Sequence, residues 1–161
     1  EEQLLLFIMQ NGKSESWLEN SNCVDTLLQF IFCEFIEPNI GQDVPCFVHS
    51  FPATQASLAT INQKDPRVAN RFECYYRGVE LANGFNELTD ASAQLERLKK
   101  DNIIRENKGL ATKEIDKKFI AALAHGLPAC SGVALGIDRL MMLAINASHI
   151  KQVITFPNDK T

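Results

Sequence analysis

The 161-residue chain has no CxxC pair and no cluster of histidine with cysteine. Its five cysteines, Cys23, Cys33, Cys46, Cys74 and Cys130, are odd in number and scattered. That pattern argues against a zinc site and a disulfide framework, and it suits a reduced, cytosolic compartment. No apolar run approaches the roughly 20 residues that cross a bilayer, and no signal peptide is visible. Neither sign of charge dominates: 16 Lys and Arg against 20 Asp and Glu give a net charge of −4, well mixed along the chain. Nothing in it suggests a sequence-wide nucleic-acid or membrane surface, and a local basic cleft is still allowed. Internal repeats, linkers and low-complexity stretches are also missing.

What the chain does have is 45% hydrophobic residues at a length typical of one domain, enough to build a core. It begins at Glu1 without methionine and enters the apolar run "LLLFIM" at once. It therefore reads as a segment of something longer.

Periodicity then places the elements. Val24, Leu27, Leu28, Ile31, Phe32, Phe35 and Ile36 recur at helical spacing and stop at Pro38. "CFVHSF" reads as a strand ended by Pro52, and "TQASLATI" as a short helix with Thr54 as its N-cap. In "RFECYYRGVELANGFNEL" two strand-like runs flank Arg77–Gly78, the signal of a two-residue β-hairpin. Thr89 or Asp90 caps a charged helix ended by Gly109, and a further helix runs from about Asp116 to His125 before Gly126. "CSGVALG" reads as a strand, "IDRLMMLAI" as a helix and "QVITF" as a last strand. A central hairpin among helices predicts an α+β fold, an antiparallel sheet flanked by helices.

With Arg77 and Gly78 as the loop, Tyr75 faces Glu80 and Glu73 faces Ala82. Glu73 and Glu80 then form a diagonal pair on one sheet face. Two like charges there either stand in solvent or hold a cation between them. Mg²⁺ takes one or two carboxylates plus nucleotide phosphates, so the pair suits a metal–nucleotide site. Asn83, Phe85 and Glu87 alternate on a parity opposite to that of Glu80. Lining one cavity with all four requires a change of strand phase, which predicts a bulge at about Ala82–Gly84, where Asn83 and Gly84 tolerate φ > 0. An aromatic ring beside a carboxylate, Phe85 with Glu87, suits an organic ammonium.

Residues 132–140 read "GVALGIDRL". Gly132 and Gly136 allow the backbone to approach a flat ligand. Arg139, in the first turn of the next helix, offers forked donors suited to phosphate oxygens. Asp138 favours the helix N-terminus or pairs with a neighbour.

"GVALGIDRL" resembles motif 3 of the class II aminoacyl-tRNA synthetases, and "GVELANGFNEL" resembles the matching strand of lysyl-tRNA synthetases. The resemblance runs from about residue 22 to 161, through "EPNIGQDVPCFVHSFPATQASLA". It is closest to the truncated synthetase-like branch that attaches (R)-β-lysine to a lysine of elongation factor P. "FPATQASLA" and "PACSGVALGIDRLMML" match that branch better than ordinary lysyl-tRNA synthetases.

By position, the resemblance implies that Glu73 and Glu80 hold Mg²⁺ against ATP and that Arg139 is the catalytic arginine gripping its terminal phosphate. Asn83, Phe85 and Glu87 fall on the pocket for the lysine-like amino acid, Glu87 pairing with an ammonium group, and Gly136 lies beside the substrate. Ala134 stands where lysyl-tRNA synthetases typically have glycine, as in the β-lysine ligases. A methyl-sized change shifts selectivity by only about 1–3 kcal/mol.

The implied chemistry is amino-acid adenylation by ATP, then transfer to an amine, which relies on positioning and charge neutralisation rather than a nucleophilic side chain. His49, His125, His149 and the cysteines read as structural. Motifs 1 and 2 are not recognisable in residues 1–50, so residues 1–161 read as a single partial domain, the C-terminal half of a class II catalytic domain, inactive alone. The full-length enzyme is expected to be a cytoplasmic homodimer acting on elongation factor P. The alternatives are a lysyl-tRNA synthetase charging tRNA and a non-catalytic synthetase-like binding module.

Overall fold

The protein is described from a computed structural model, which covers residues 1–13, 15, 18 and 23–157. Its described strands form one antiparallel four-stranded sheet in the order β1-β2-β3-β4: β1 Cys46–His49, β2 Arg71–Tyr76, β3 Val79–Asn86 and β4 Ser131–Leu135. Helices surround it in sequence as α1 Glu2–Gln10, α2 Val24–Ile31, α3 Ala91–Asn107, α4 Lys117–His125 and α5 Ile137–Ala144. The expected α+β class with an antiparallel sheet is therefore what the chain adopts. No described helix is long and apolar enough to cross a membrane.

Two compact units divide the chain. The first contains Glu1–His49, Phe72–Asn83 and Ala134–Thr161. Its core gathers Ile8, Leu18 and Leu27, with Leu4, Leu5, Phe30 and Ile31 packed around them. The apolar stripe that begins in α2 continues through a π-helical turn, Phe32–Ile36, and a 3-10 turn, Glu37–Asn39. The wider turn changes the phase of the helix. Phe32 meets Tyr75 edge-on at 5.5 Å and Phe35 meets Phe7 at 5.4 Å.

Strand β1 pairs with β2 in the register Cys46↔Tyr75, Phe47↔Cys74, Val48↔Glu73 and His49↔Phe72. The hairpin between β2 and β3 turns on Arg77 (φ 50°) and Gly78 (φ 70°), both left-handed as a two-residue type I′ loop requires. A left-handed conformation costs a non-glycine residue about 1–2 kcal/mol. Arg77 offsets this with a hydrogen bond from its N–H to the Gly41 carbonyl (2.8 Å) and with its guanidinium 5.1 Å from the Tyr76 ring. Gly41, itself at φ 66°, lies so close to the Tyr75 carbonyl that no Cβ fits there.

The C-terminal strand expected at "QVITF" does not form. Instead Ile150–Gln152 is a 3-10 turn closed by reciprocal caps. His149 Nδ1 accepts from the Lys151 N–H, and Gln152 Oε1 accepts from the N–H groups of Ser148 and His149. The caps bend the backbone into a turn just where the strand was expected to begin, and Phe156 is left 82% exposed.

The second unit contains Ser50–Arg71 and Gly84–Val133. Its core is built on Ala56, Ala59 and Ala69, against which Ile61 and Phe85 pack. The helix expected over "TQASLATI" is only a 3-10 turn, Ala53–Gln55, with Pro52 rather than Thr54 at its N-cap. Sheet-like bridges take the backbone instead: Ala59 pairs with Glu87, and Ile61 with Ala69. The Thr60 N–H donates to the Asn86 carbonyl, and the Leu88 N–H to the Leu58 carbonyl. These pairings outcompete weak local helix propensity. Helices α3 and α4 begin as expected. Asp90 accepts from the Ala93 N–H at 2.9 Å, and Asp116 from those of Lys118 and Phe119 at 2.8 and 3.0 Å.

Candidate functional site

The first unit brings most of the candidate residues together. Glu80 on β3 and Arg139 in the first turn of α5 are joined by one guanidinium nitrogen. Arg139 Nη1 donates to the Glu80 carbonyl at 2.7 Å and to its carboxylate Oε2 at 3.3 Å. The strand-to-helix junction sets this up: the Gly136 N–H donates to the Leu81 carbonyl at 2.8 Å, and α5 starts immediately afterwards. Since the arginine is anchored through a single nitrogen, its other N–H groups remain available to an anion. A cavity of about 280 Å³ lies beside the pair, lined by Glu80, Asn83, Ala134, Gly136, Asp138 and Arg139 among others. Ala134 and Asn83 therefore border the same cavity.

Glu73 lies deeper. It is only 6% exposed and is not among the residues lining that cavity. Its Oε2 accepts a hydrogen bond from the Tyr75 hydroxyl, and its Oε1 accepts one from Asn83 Nδ2 at 3.3 Å. Burial, then the hydrogen bond to Glu73, pushes the Tyr75 phenol well above its ordinary pKa, so the hydroxyl keeps its proton and donates. Asn83 reaches the carboxylate of Glu73 and also borders the cavity with Glu80. The cavity wall takes in the consecutive residues Glu80, Leu81, Ala82 and Asn83, so both Glu80 and Asn83 border it within one continuous strand. The left-handed backbone expected at Asn83 and Gly84 is not adopted.

Phe85 and Glu87 belong to the second unit. Phe85 packs against the alanine core, and its ring already has the Arg71 guanidinium 5.9 Å from its centroid; the same guanidinium is 4.5 Å from Phe51. Glu87 is fixed by its backbone, which pairs with Ala59 on one side and donates to the Cys130 carbonyl at 3.0 Å on the other. Its carboxylate Oε1 occupies the space where a Cβ on residue 132 would project. A Cβ at residue 132 would thus require the Glu87 carboxylate to shift. At Gly136 a Cβ would meet only Arg139 carbons at 3.4–3.6 Å, an ordinary contact.

Tyr75 is the residue that sequence reasoning missed as a partner of Glu73. Two positions apart on one strand, they share a face, and that parity was the available signal. As for a metal, the donor set consists of carboxylates, and no described group of three or more His, Cys, Asp or Glu side chains is arranged to hold an ion. Such a set fits Mg²⁺ sharing its coordination with phosphates rather than an all-protein cage.

Comparisons with known proteins place the chain in a family. Residues 32–160 match the family model for tRNA synthetases class II (D, K and N). The chain is 59% identical over 135 residues to the elongation factor P–(R)-β-lysine ligase of Histophilus somni, covering 84% of this chain and 42% of that protein. It is 59% identical over 133 residues to the ligase of that name from Yersinia enterocolitica, covering 83% and 41%. For the one from Pseudoalteromonas translucida the figures are 54% over 155 residues, 96% and 48%. The chain thus spans less than half the length of each of these relatives. A match over most of its residues establishes the kinship: the chain belongs to the class II tRNA synthetase family that comprises the D, K and N enzymes.

Proposed function

We propose that the protein activates (R)-β-lysine, or lysine, with ATP as an adenylate and transfers it to a lysine side chain of elongation factor P. The observation that carries this reading is one cavity bordered by Arg139, Glu80, Asn83 and Ala134, in a chain whose relatives bear that ligase name. In this reading the amino acid's carboxylate attacks the α-phosphorus of ATP, expelling pyrophosphate. The acceptor amine then attacks the mixed anhydride, and AMP leaves.

The chain's residues act by holding charge in place. Arg139, anchored on Glu80, directs its remaining donors to the terminal phosphate of ATP. Glu80 at the cavity and Glu73 behind it hold Mg²⁺, which when bound neutralises phosphate charge. Asn83, with Phe85 and Glu87, recognises the amino acid, and Glu87 pairs with an ammonium group. Gly136 forms the edge of the substrate site. The methyl of Ala134 narrows the space for an α-amino group and favours the β-isomer. We place the enzyme in the cytoplasm, as a homodimer in its full-length form.

ATP–pyrophosphate exchange by the natural full-length protein tests the reading. Exchange should depend on (R)-β-lysine in preference to lysine and should need Mg²⁺. A strong preference for α-lysine would overturn it.

A further inference from the structure

In the second unit, the segment that carries Glu87 is the middle of a small backbone ribbon. On one side Ala59 pairs with Glu87, flanked by hydrogen bonds from the Thr60 N–H to the Asn86 carbonyl and from the Leu88 N–H to the Leu58 carbonyl. On the other side the Glu87 N–H donates to the Cys130 carbonyl. Carbonyls alternate along an extended segment, so with that of Leu58 facing Leu88, those of Ser57 and Ala59 point away from the ribbon. Arg97 meets them there. Its Nη1 donates to the Ser57 carbonyl at 2.5 Å and to the Ala59 carbonyl at 2.8 Å.

Arg97 belongs to α3, whose N-cap, Asp90, follows closely on Glu87. The helix that leaves the Glu87 segment thus reaches back and fastens that segment's own neighbour. The fastening works against two costs. Ser57 is left-handed at φ 52°, which is unfavourable for a residue with a side chain. Burial disfavours the charged form of the Arg97 guanidinium and draws its pKa down, with Asp101 opposing. A partly buried charge that bridges two carbonyls of a strained turn acts as a clamp on it.

The Glu87 carboxylate ends a flexible side chain, so the backbone that carries it decides where it can reach. We propose that Arg97 is a positioning residue for amino-acid recognition: by clamping residues 57–59 it holds the strand against which Glu87 is placed. The inference rests on the reading of Glu87 as the ammonium partner, and the test separates the two. Arg97 and Glu87 lie in the second unit, whereas Glu73, Glu80 and Arg139, assigned to ATP and Mg²⁺, belong to the first. Loss of the clamp should therefore fall on the amino acid rather than on ATP.

The test is a double-mutant cycle in the natural full-length protein. Glu87→Gln should raise KM for the amino acid about tenfold or more, the size of a lost hydrogen bond to a charged group. Arg97→Met keeps an apolar stem and removes the donors. It should raise the same KM at least about threefold, in the range of coupled residues, and no further than Glu87→Gln does. KM for ATP should stay within about twofold in each variant. Combined, the two substitutions should raise the amino-acid KM no more than Glu87→Gln alone, because the clamp then has nothing left to position. Arg97→Lys keeps the charge and shortens the reach, so it should act in the same direction but less. If Arg97→Met does not fold, the cycle is read in the lysine variant. If Glu87→Gln raises the amino-acid KM and the Arg97 variants do not, the positioning role is overturned and the reading of Glu87 survives. If Glu87→Gln changes nothing, both are overturned. Effects that multiply in the double variant, or equal rises in KM for ATP and for the amino acid, would show a general structural role and would also overturn the proposal.

Discussion

The carboxylate of Glu87 lies where a side chain on residue 132 would begin, so each residue constrains the other. The backbone of Glu87 is held by its pairing with Ala59 and its bond to Cys130, while its carboxylate is the end of a flexible side chain. A methyl at position 132 should therefore move the carboxylate rather than the strand. Gly132→Ala is expected to weaken amino-acid binding by about 10-fold to 100-fold, the range for losing a hydrogen-bonded charge partner. Shortening the acid in the double variant Gly132→Ala/Glu87→Asp relieves the overlap. It should melt higher than Gly132→Ala alone, a comparison that differential scanning calorimetry can make. An unchanged amino-acid KM in Gly132→Ala would count against Glu87 as the ammonium partner.

The bond from Arg139 to the Glu80 carbonyl makes the arginine a fixed fork rather than a mobile charge. A lysine keeps the charge but cannot bridge a carbonyl, a carboxylate and a phosphate with one planar group. Arg139→Lys should lower kcat/KM for ATP by about 10²-fold, at the upper end of the effect of one charged hydrogen bond. Exchange kinetics across ATP concentrations would measure it, and a loss below threefold would contradict the assignment.

Ala134→Gly removes one methyl from a residue that borders the cavity. The ratio of kcat/KM for (R)-β-lysine to that for lysine should fall by about 10-fold to 100-fold, the limit for a methyl-sized change. A ratio that stays constant would show that the β-isomer is selected elsewhere.

Asp65 and Arg67 form a local pair that gives a pH prediction. The hydrogen bond from the Arg67 side chain, then that from its backbone, lowers the Asp65 pKa to about 2. A carboxylate whose folded pKa lies below its unfolded value stabilises the fold above about pH 4, and the contribution is lost as pH falls toward about 2. Arg67 is 86% exposed, so salt should screen most of the effect. In an NMR titration, Arg67→Ala should return Asp65 toward the ordinary value of about 3.9. A titration still centred near the depressed value would show that the arginine is not the cause.

Much of this arrangement was legible from local rules. Arg77–Gly78 announced its loop, Asp90 and Asp116 announced their helices, and the run from Ser131 to Arg139 announced a strand feeding a helix, because each depends on a few adjacent residues. The illegible parts depend on partners far away in sequence. Thr54 looked like a cap because nothing local shows that Ala59 pairs with Glu87 or that Ile61 pairs with Ala69. The segment at Gln152 looked like a strand because β-branched residues follow it, whereas the caps from His149 and Gln152 turn the chain first. For the site, residue identity marked Glu73 as a carboxylate of interest. Its burial and its bonds to Tyr75 and Asn83 depend on strand pairing that composition does not encode.

The two-residue loop at Arg77–Gly78 also sets a limit on how this hairpin can vary. Side chains alternate faces along a strand, so adding one residue to the loop would either turn β3 over or force a compensating bulge. Turning it over would exchange Glu80 for its neighbours and take the partner of Arg139 out of reach. A viable insertion at this tip therefore has to arrive in pairs or bring its own repair. The tip of the hairpin thus behaves as a length standard for the site, although no residue in it touches the cavity.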